Sequence, residues 1–427
     1  NQEERPLVCI RDCFQCCGIM RCPQGEGRIS LCPLERTQKE RDRSMATNIR
    51  PVRVAVVGCG SISGIYLENI TRRFQILELA ACCDLNPTLA GRVSQKYGVP
   101  ARTLEQILAD DSIEIVVNLT PPAAHFRVIK AALEHGKHVY TEKVLAVSRE
   151  EAAELIRLSD ERGLQLCAAP DTFLGAAAQT ARFAVESGLI GEVTSCVATL
   201  QRDAGLLAER FPFTIEEGGG IGLDVGIYYV TALLSILGPA AMVCGMSGTY
   251  KPDRVYTFPS RGRLGQPYTI HSETLLAATV RFKSGVVGSL HFNSASIRCE
   301  KPQVALYGTH GILFLPNPNF FGGEVRILAK GQEEPYVLPP THAYEEDDRG
   351  LGLADMAWAL RVGRSPRADK KMAYHALELL TGAMESGQTG RFYAMQSTFR
   401  KPAPLPRGYM GEKYGQSEPE AVLAFEE

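Results

Sequence analysis

The sequence predicts an α/β protein in two parts: a doubly wound, Rossmann-type parallel sheet first, then an α+β domain on a large, open, mostly antiparallel sheet. Three observations predict it. The β-branched run "VRVAVV" leads into glycines at Gly58 and Gly60; strand and helix patterns then alternate as far as Pro170; and beyond Asp171 strand-like runs dominate. With 427 residues, 45% of them hydrophobic, the chain is long enough for two full cores.

The first element, "VRVAVV", is short and bounded by glycine, which suits a buried strand better than a helix. Gly58 and Gly60 hold the first two positions of a G-x-G-x-x-G fingerprint, where the turn is tight and the backbone approaches a pyrophosphate; Ser63 stands at the third. Ser61 and Ile62 open the helix "ISGIYLENITRR", whose first amides point at bound phosphates. The strand "LELAACCD" ends in Asp84, where the fold places an acid on the ribose hydroxyls. A carboxylate there repels a 2′-phosphate, so NAD is expected before NADP.

The alternation continues through "IEIVVNLT", "PPAAHFRVIKAALEHG", "KHVYTEK", "SREEAAELIRLSDERG" and "LQLCAAP". Thr120, Pro121, His125, Glu142 and Lys143 follow C-terminal strand ends, so they are expected to line the cofactor crevice. In the second part the helix "AAAQTARFAVESG" precedes the strands "EVTSCVATLQR", "TLLAATVRF", "VVGSLHFNSAS" and "VALYGTHGILFLP", interrupted by the helical "GGGIGLDVGIYYVTALLSILG". Two helices, "LGLADMAWALRVG" and "KKMAYHALELLTGAMESG", close it. The expected division is a Cys-rich extension at 1–47, a dinucleotide domain at 48–170, a substrate and oligomerisation domain at 171–400, and a loose tail at 401–427, rich in Pro, Gly and Glu.

The extension carries Cys9, Cys13, Cys16, Cys17, Cys22 and Cys32. Their spacing would suit a zinc or iron–sulfur clip, but no hydrophobic periodicity surrounds them and the segment runs into "ERTQKERDRS". It is read as unstructured, with Met45 standing where an initiator would, and the motif-bearing chain is expected to be independent of it. No carboxylate–histidine metal spacing and no nucleophile elbow appears in the folded part. A net charge of −2 without a basic block argues against nucleic acid, no long uncharged apolar run offers a membrane span, and the scattered thiols suit a reducing cytoplasm.

In order, "VRVAVVGCGSISG", "TPPAAH", "YTEK", "APDTFLG", "GGGIGLDVGIYY" and "RGLGLADMAWALRVGRSPRA" resemble the glucose-fructose oxidoreductase, inositol 2-dehydrogenase and rhizopine catabolism (Gfo/Idh/MocA) family, over roughly residues 50 to 400. The resemblance implies a Rossmann domain joined to an open-sheet domain, bound NAD or NADP, a sugar, polyol or glycoside substrate, and homodimers or tetramers formed through the open sheet. Two motifs depart from it. The Glu-Lys-Pro of the family reads Glu142, Lys143, Val144, and because a non-proline cis bond is costly the local backbone is expected to differ. The Asp-x-Gly-x-His signature ends in Tyr228 instead of histidine.

Oxidising a secondary alcohol sends a hydride to the nicotinamide and a proton to a base within hydrogen-bond reach. Lys143 is the first candidate to polarise the hydroxyl. Asp224 and Tyr228, four apart at a helix start, are expected to share the face toward the cleft, and Tyr228 to relay the proton with Lys143 as the cation that lowers its pKa. His125 is expected at the nicotinamide-ribose end; Asp171, Thr172 and Phe173 are expected to contact sugar hydroxyls; His375 is expected to be structural. Three functions follow: an NAD-dependent dehydrogenase of a sugar, cyclitol or glycoside; a glycosidase that oxidises C3 transiently and eliminates the aglycone; and a catalytically silent NAD-binding sensor or scaffold.

Overall fold

The computed structural model describes residues 49–257, 262–298 and 303–406. The cysteine-rich extension lies outside them. Strands β1 (Val52–Val57), β2 (Leu77–Cys83), β3 (Ile115–Asn118), β4 (His138–Thr141) and β5 (Leu166–Ala168) form a parallel sheet in the order β2-β1-β3-β4-β5. A sixth position survives as one parallel bridge between Cys82 and Ala101 outside β2. The strands are buried on both faces by helices, which is why they read as continuous apolar runs.

Helices α1 (Ser63–Arg72), α2 (Pro87–Tyr97), α3 (Leu104–Leu108), α4 (Pro122–Glu134) and α5 (Arg149–Glu161) connect them. Their ends are written locally. Asn86 caps α2 through Thr88 N–H, with Pro87 in the first turn and Gly98 in the left-handed conformation after the last. Thr103 and Gln106 form a capping box on α3, and Ser148 caps α5 through Glu151 N–H.

After α6 (Ala176–Glu186), the second sheet uses β6 (Val193–Asp203), β7 (Ala240–Gly248), β10 (Leu275–Phe282), β11 (Val287–Asn293), β12 (Ala295–Arg298), β13 (Val304–Gly308), β14 (Gly311–Leu315), β15 (Val325–Ala329), β16 (Tyr336–Leu338) and β17 (Tyr393–Ala394), ten strands in all. Every pairing is antiparallel except β11 with β6. The hairpin β8 (Asp253–Val255) and β9 (Pro267–Thr269) stands apart, packed through Tyr256, Tyr268 and Ile270 against Ala208 and Ile215. Burial alternates residue by residue along β10 and β11, so one sheet face is covered and the other is open. The covered face meets the helix Lys370–Thr389, and Tyr229 of the helix Ile227–Leu237 packs on Phe292 of β11.

The tail expectation is corrected for residues 401–406. Leu405 is buried, its N–H bonds Gln179, Arg182 donates to the Pro402 carbonyl and Arg367 to that of Ala403. A Pro-rich segment with few side chains of its own is held by arginines that need acceptors. Residues 407–427 lie outside the described residues.

Candidate active site

The glycine cluster forms the turn that the sequence predicts, and its two glycines have different reasons. Gly58 has φ +103°, and a Cβ there would stand 2.7 Å from the Leu119 carbonyl carbon, so glycine is required by the neighbouring chain. Gly60 is exposed, and a Cβ added to it would meet nothing within 4 Å. That open backbone, followed by the start of α1, is the cradle a pyrophosphate needs. Ser63, at the third fingerprint position, is buried and bonds back to the Gly60 carbonyl at 2.7 Å. Asp84 leaves the end of β2 and accepts from Cys59 N–H and Asn86 N–H, each at 2.7 Å. The acid is thereby fixed beside the glycine turn. Thr120 and Pro121 lie at the end of β3, with Thr120 oriented by the buried Asn118 through a 2.7 Å bond. The donor set fits a dinucleotide.

Lys143 projects just past β4. Its ammonium donates to Asp224 twice, to Oδ1 at 2.5 Å and to the carbonyl at 2.7 Å, and Arg202 at the end of β6 donates to Oδ2 at 2.6 Å. Asp224 is thus a buried carboxylate shared by two cations. Burial alone would raise its pKa, but Lys143 and Arg202 outweigh that and hold it below the usual carboxylate range. Burial alone would depress the Lys143 ammonium; Asp224, with Tyr228 and Glu142 nearby, more than offsets it and holds the lysine above its ordinary value. The Phe213 and Tyr228 rings stand 5.8 and 5.7 Å from Nζ.

Several expectations change here. Asp224 sits on a π-helical turn, Gly222–Gly226, that precedes α8 (Ile227–Leu237; α7 is Gly205–Ala208), not on a regular α-helical turn, and both Asp224 and Tyr228 stand beside Lys143. Tyr228 is pushed up to about 12, because burial outweighs the pull of Lys143 and Arg349. A phenol so placed is a poor base at neutral pH. The Lys143–Val144 peptide is cis although no proline follows the lysine, and Ala169–Pro170 is cis too.

His125 is fully buried and does not reach the crevice; its ring nitrogens face the Val144 carbonyl at 2.6 Å and the Thr120 carbonyl at 2.8 Å. It ties the loop after β3 to the residue after Lys143. Glu142 is likewise buried, accepting from the Tyr66 hydroxyl at 2.7 Å and from Lys143 N–H at 3.0 Å, so it supports the lysine from behind. Asp171, Thr172 and Phe173 are buried too and offer no sugar contact. Asp171 accepts from the amides of Gly350 and Gly352 at 2.9 and 3.0 Å, capping α9 (Leu351–Val362), and burial pushes it up to about 6. A carboxylate at the end of a sheet strand is as useful to a helix N-terminus as to a ligand, and only packing decides which. His375 is structural as expected: buried, it accepts from Ala240 N–H at 2.9 Å and meets Ser397 Oγ at 2.8 Å.

Sequence reasoning missed Arg202, Phe213 and Glu273. Arg202 had one signal: a buried aspartate beside a lysine needs further compensation, and the strand end "LQRD" supplies a cation.

A parallel sheet with a dinucleotide cradle at its carboxyl edge, and there a lysine from the end of β4 paired with an aspartate that a cation from the second sheet also holds, defines an oxidoreductase of the Rossmann class. The comparisons agree. Residues 52–169 match the model for the oxidoreductase family with an NAD-binding Rossmann fold, and residues 178–314 match the GFO/IDH/MocA C-terminal domain; the chain belongs to the GFO/IDH/MocA family. An uncharacterized oxidoreductase of Schizosaccharomyces pombe is 28% identical over 44% of this chain, which spans 52% of that relative's length. D-xylose 1-dehydrogenase (NADP(+)) 2 of Haloferax volcanii is 26% identical over 77% of this chain and 96% of its own. D-glucoside 3-dehydrogenase of Escherichia coli is 28% identical over 55% and 68%. Among solved structures, levoglucosan dehydrogenase in complex with NADH and L-sorbose shares the fold, with TM-score 0.69 and 19% identity over 81% of this chain and 99% of that one. Among the described residues no helix is long and apolar enough to cross a membrane, and no cluster of His, Cys, Asp or Glu could hold a metal.

Proposed function

We propose that this protein is an NAD-dependent dehydrogenase of a secondary alcohol on a sugar or glycoside. The observation that carries it is the Lys143–Asp224 pair, 2.5 Å apart, at the carboxyl edge of the parallel sheet beside the glycine cradle. Gly58, Gly60, Ser61, Ile62, Asp84, Thr120 and Pro121 would hold NAD, which supplies a hydride acceptor when bound. Asp84 supports NAD over NADP because it would accept from ribose hydroxyls and repel a 2′-phosphate. The sugar reading draws on the names of the relatives above, two of which are sugar or glucoside dehydrogenases.

Lys143 donates to the reacting oxygen and Asp224 aims it. In ketone reduction the ammonium gives its proton to the carbonyl oxygen. In alcohol oxidation the neutral amine takes the hydroxyl proton, so oxidation gains rate as pH rises toward the elevated lysine value, while reduction loses it. Tyr228 packs against Lys143 and shapes the pocket. The division into a dinucleotide part and a substrate part follows the two sheets, the open sheet face would join copies into a homo-oligomer, and the buried free thiols suit a reducing cytoplasm.

The test is a panel of sugars, cyclitols and aryl glycosides, followed for reduced nicotinamide and for aglycone release. Accumulating NADH with one equivalent of ketone is expected, and Lys143→Met should abolish it while NAD affinity stays within about a few-fold. Aglycone without net NADH would replace this reading by transient oxidation and elimination; neither product across the panel would replace it by a sensor.

A further inference from the structure

The run Gly218-Gly219-Gly220 before Asp224 is not explained by the reaction. Packing explains it. A Cβ on Gly219 would lie 1.8 Å from the Phe213 carbonyl oxygen, and one on Gly220 would lie 1.9 Å from Glu273 Oε2. Gly220 has no left-handed φ, so its backbone does not need glycine; the missing Cβ leaves room for the Glu273 carboxylate, which a side chain there would displace. Glu273 reaches this place from the segment just before β10, where Ser272 is anchored by a 2.9 Å bond to the Thr214 carbonyl.

Glu273 gives two acceptors to successive amides of the turn. Its carbonyl takes Ile221 N–H and its Oε1 takes Gly222 N–H, both at 3.1 Å. These amides open the π-helical turn that carries Asp224, and at the start of a helix they have no partner within it, so Glu273 is what satisfies them. Without that acceptor the first turn is loosened and free to rewind. One residue of register rotates a side chain by about 100° around the helix axis, which would swing Asp224 away from Lys143 and Arg202.

We propose that Glu273 is the positioning residue for Asp224, clamping the turn from outside, and that Gly220 is glycine to admit its carboxylate. The clamp's link to turnover rests on the dehydrogenase reading; the clamp itself does not.

Four variants of the full chain test it: Glu273→Ala, Glu273→Gln, Gly220→Ala, and the double variant Glu273→Ala with Gly220→Ala. Hydrogen–deuterium exchange over residues 218–226 needs no substrate. Faster exchange there is expected in Glu273→Ala and in Gly220→Ala, with the peptide around Gly58 unchanged, and no further gain in the double variant, because the alanine methyl and the missing carboxylate remove the same contact. Glu273→Gln keeps an acceptor and should stay near the parent. In turnover both single alanine variants should lose about 10- to 100-fold in kcat, with KM changing less and NADH affinity within about two-fold; Glu273→Gln should recover most of the loss. Parent-like exchange in Glu273→Ala, additive effects in the double variant, or faster exchange with parental kcat would each overturn the proposal. A parent that oxidises nothing in the panel defeats the dehydrogenase reading, and the exchange cycle still decides the clamp.

Discussion

Replacing Asp224 by asparagine preserves its shape and removes the one charge that Lys143 and Arg202 share. The three side chains are largely enclosed: Lys143 is 14% exposed, Arg202 19% and Asp224 8%. Water therefore screens little of the loss, and removing one partner of a buried pair costs about 3–5 kcal/mol, because a buried charge is left uncompensated. Urea unfolding of parent and variant at pH 7 should show that difference. Its pH dependence has a definite sign. The folded Asp224 lies below its usual value, so its contribution is present above about pH 4 and lost as the pH falls through the depressed folded value. The folded Lys143 lies above its usual value, so its contribution is full below about pH 10 and lost as the pH rises through the raised folded value. The difference between the two proteins should be level between about pH 5 and 9 and shrink on either side. In activity, burial then acts on Lys143 without its strongest opponent, so the ammonium should titrate lower and the oxidation profile should move to lower pH. A stability difference under about 1 kcal/mol, typical of an exposed pair, or a profile that moves upward, would refute this account of the pair.

Three further outcomes are expected. Tyr228→Phe should cost less than about 10-fold in kcat, against the 10²- to 10⁴-fold loss of a true acid–base group, since its hydroxyl is pushed up to about 12; steady-state kinetics at pH 7 and 9 checks it. Asp84→Ser should narrow the preference for NADH over NADPH in a fluorescence titration, and a parent that binds both equally would count against Asp84 as the selector. Ending the chain after Thr398 should lower the thermal midpoint by a few degrees, because Phe399 and Leu405 leave the core and Arg182 and Arg367 lose their carbonyl partners; an unchanged melt would return residues 401–406 to the loose tail first expected.

The alternation of apolar strands and helices, the glycine turn, Asp84 at the end of β2 and the position of Lys143 after β4 were all legible in the sequence. Each depends on local chemistry: period, caps, turn residues and chain order. The partners of those residues were not. Asp171 and Glu142 looked like ligand-facing acids, yet one caps a helix from far along the chain and the other is held by Tyr66. His125 looked like a crevice residue and is a buried tie between two loops. Glu273 carries no local mark and Arg202 only that of a cation at a strand end, and they meet the turn of Asp224 because the second sheet brings β6 and the start of β10 against it. By itself the sequence determined which groups stand at strand ends, since that follows from hydrogen bonding and periodicity within a few residues. Only the tertiary structure decided which of them face the crevice and which are consumed in holding it, because a buried polar group takes whatever partner packing delivers, at any distance along the chain.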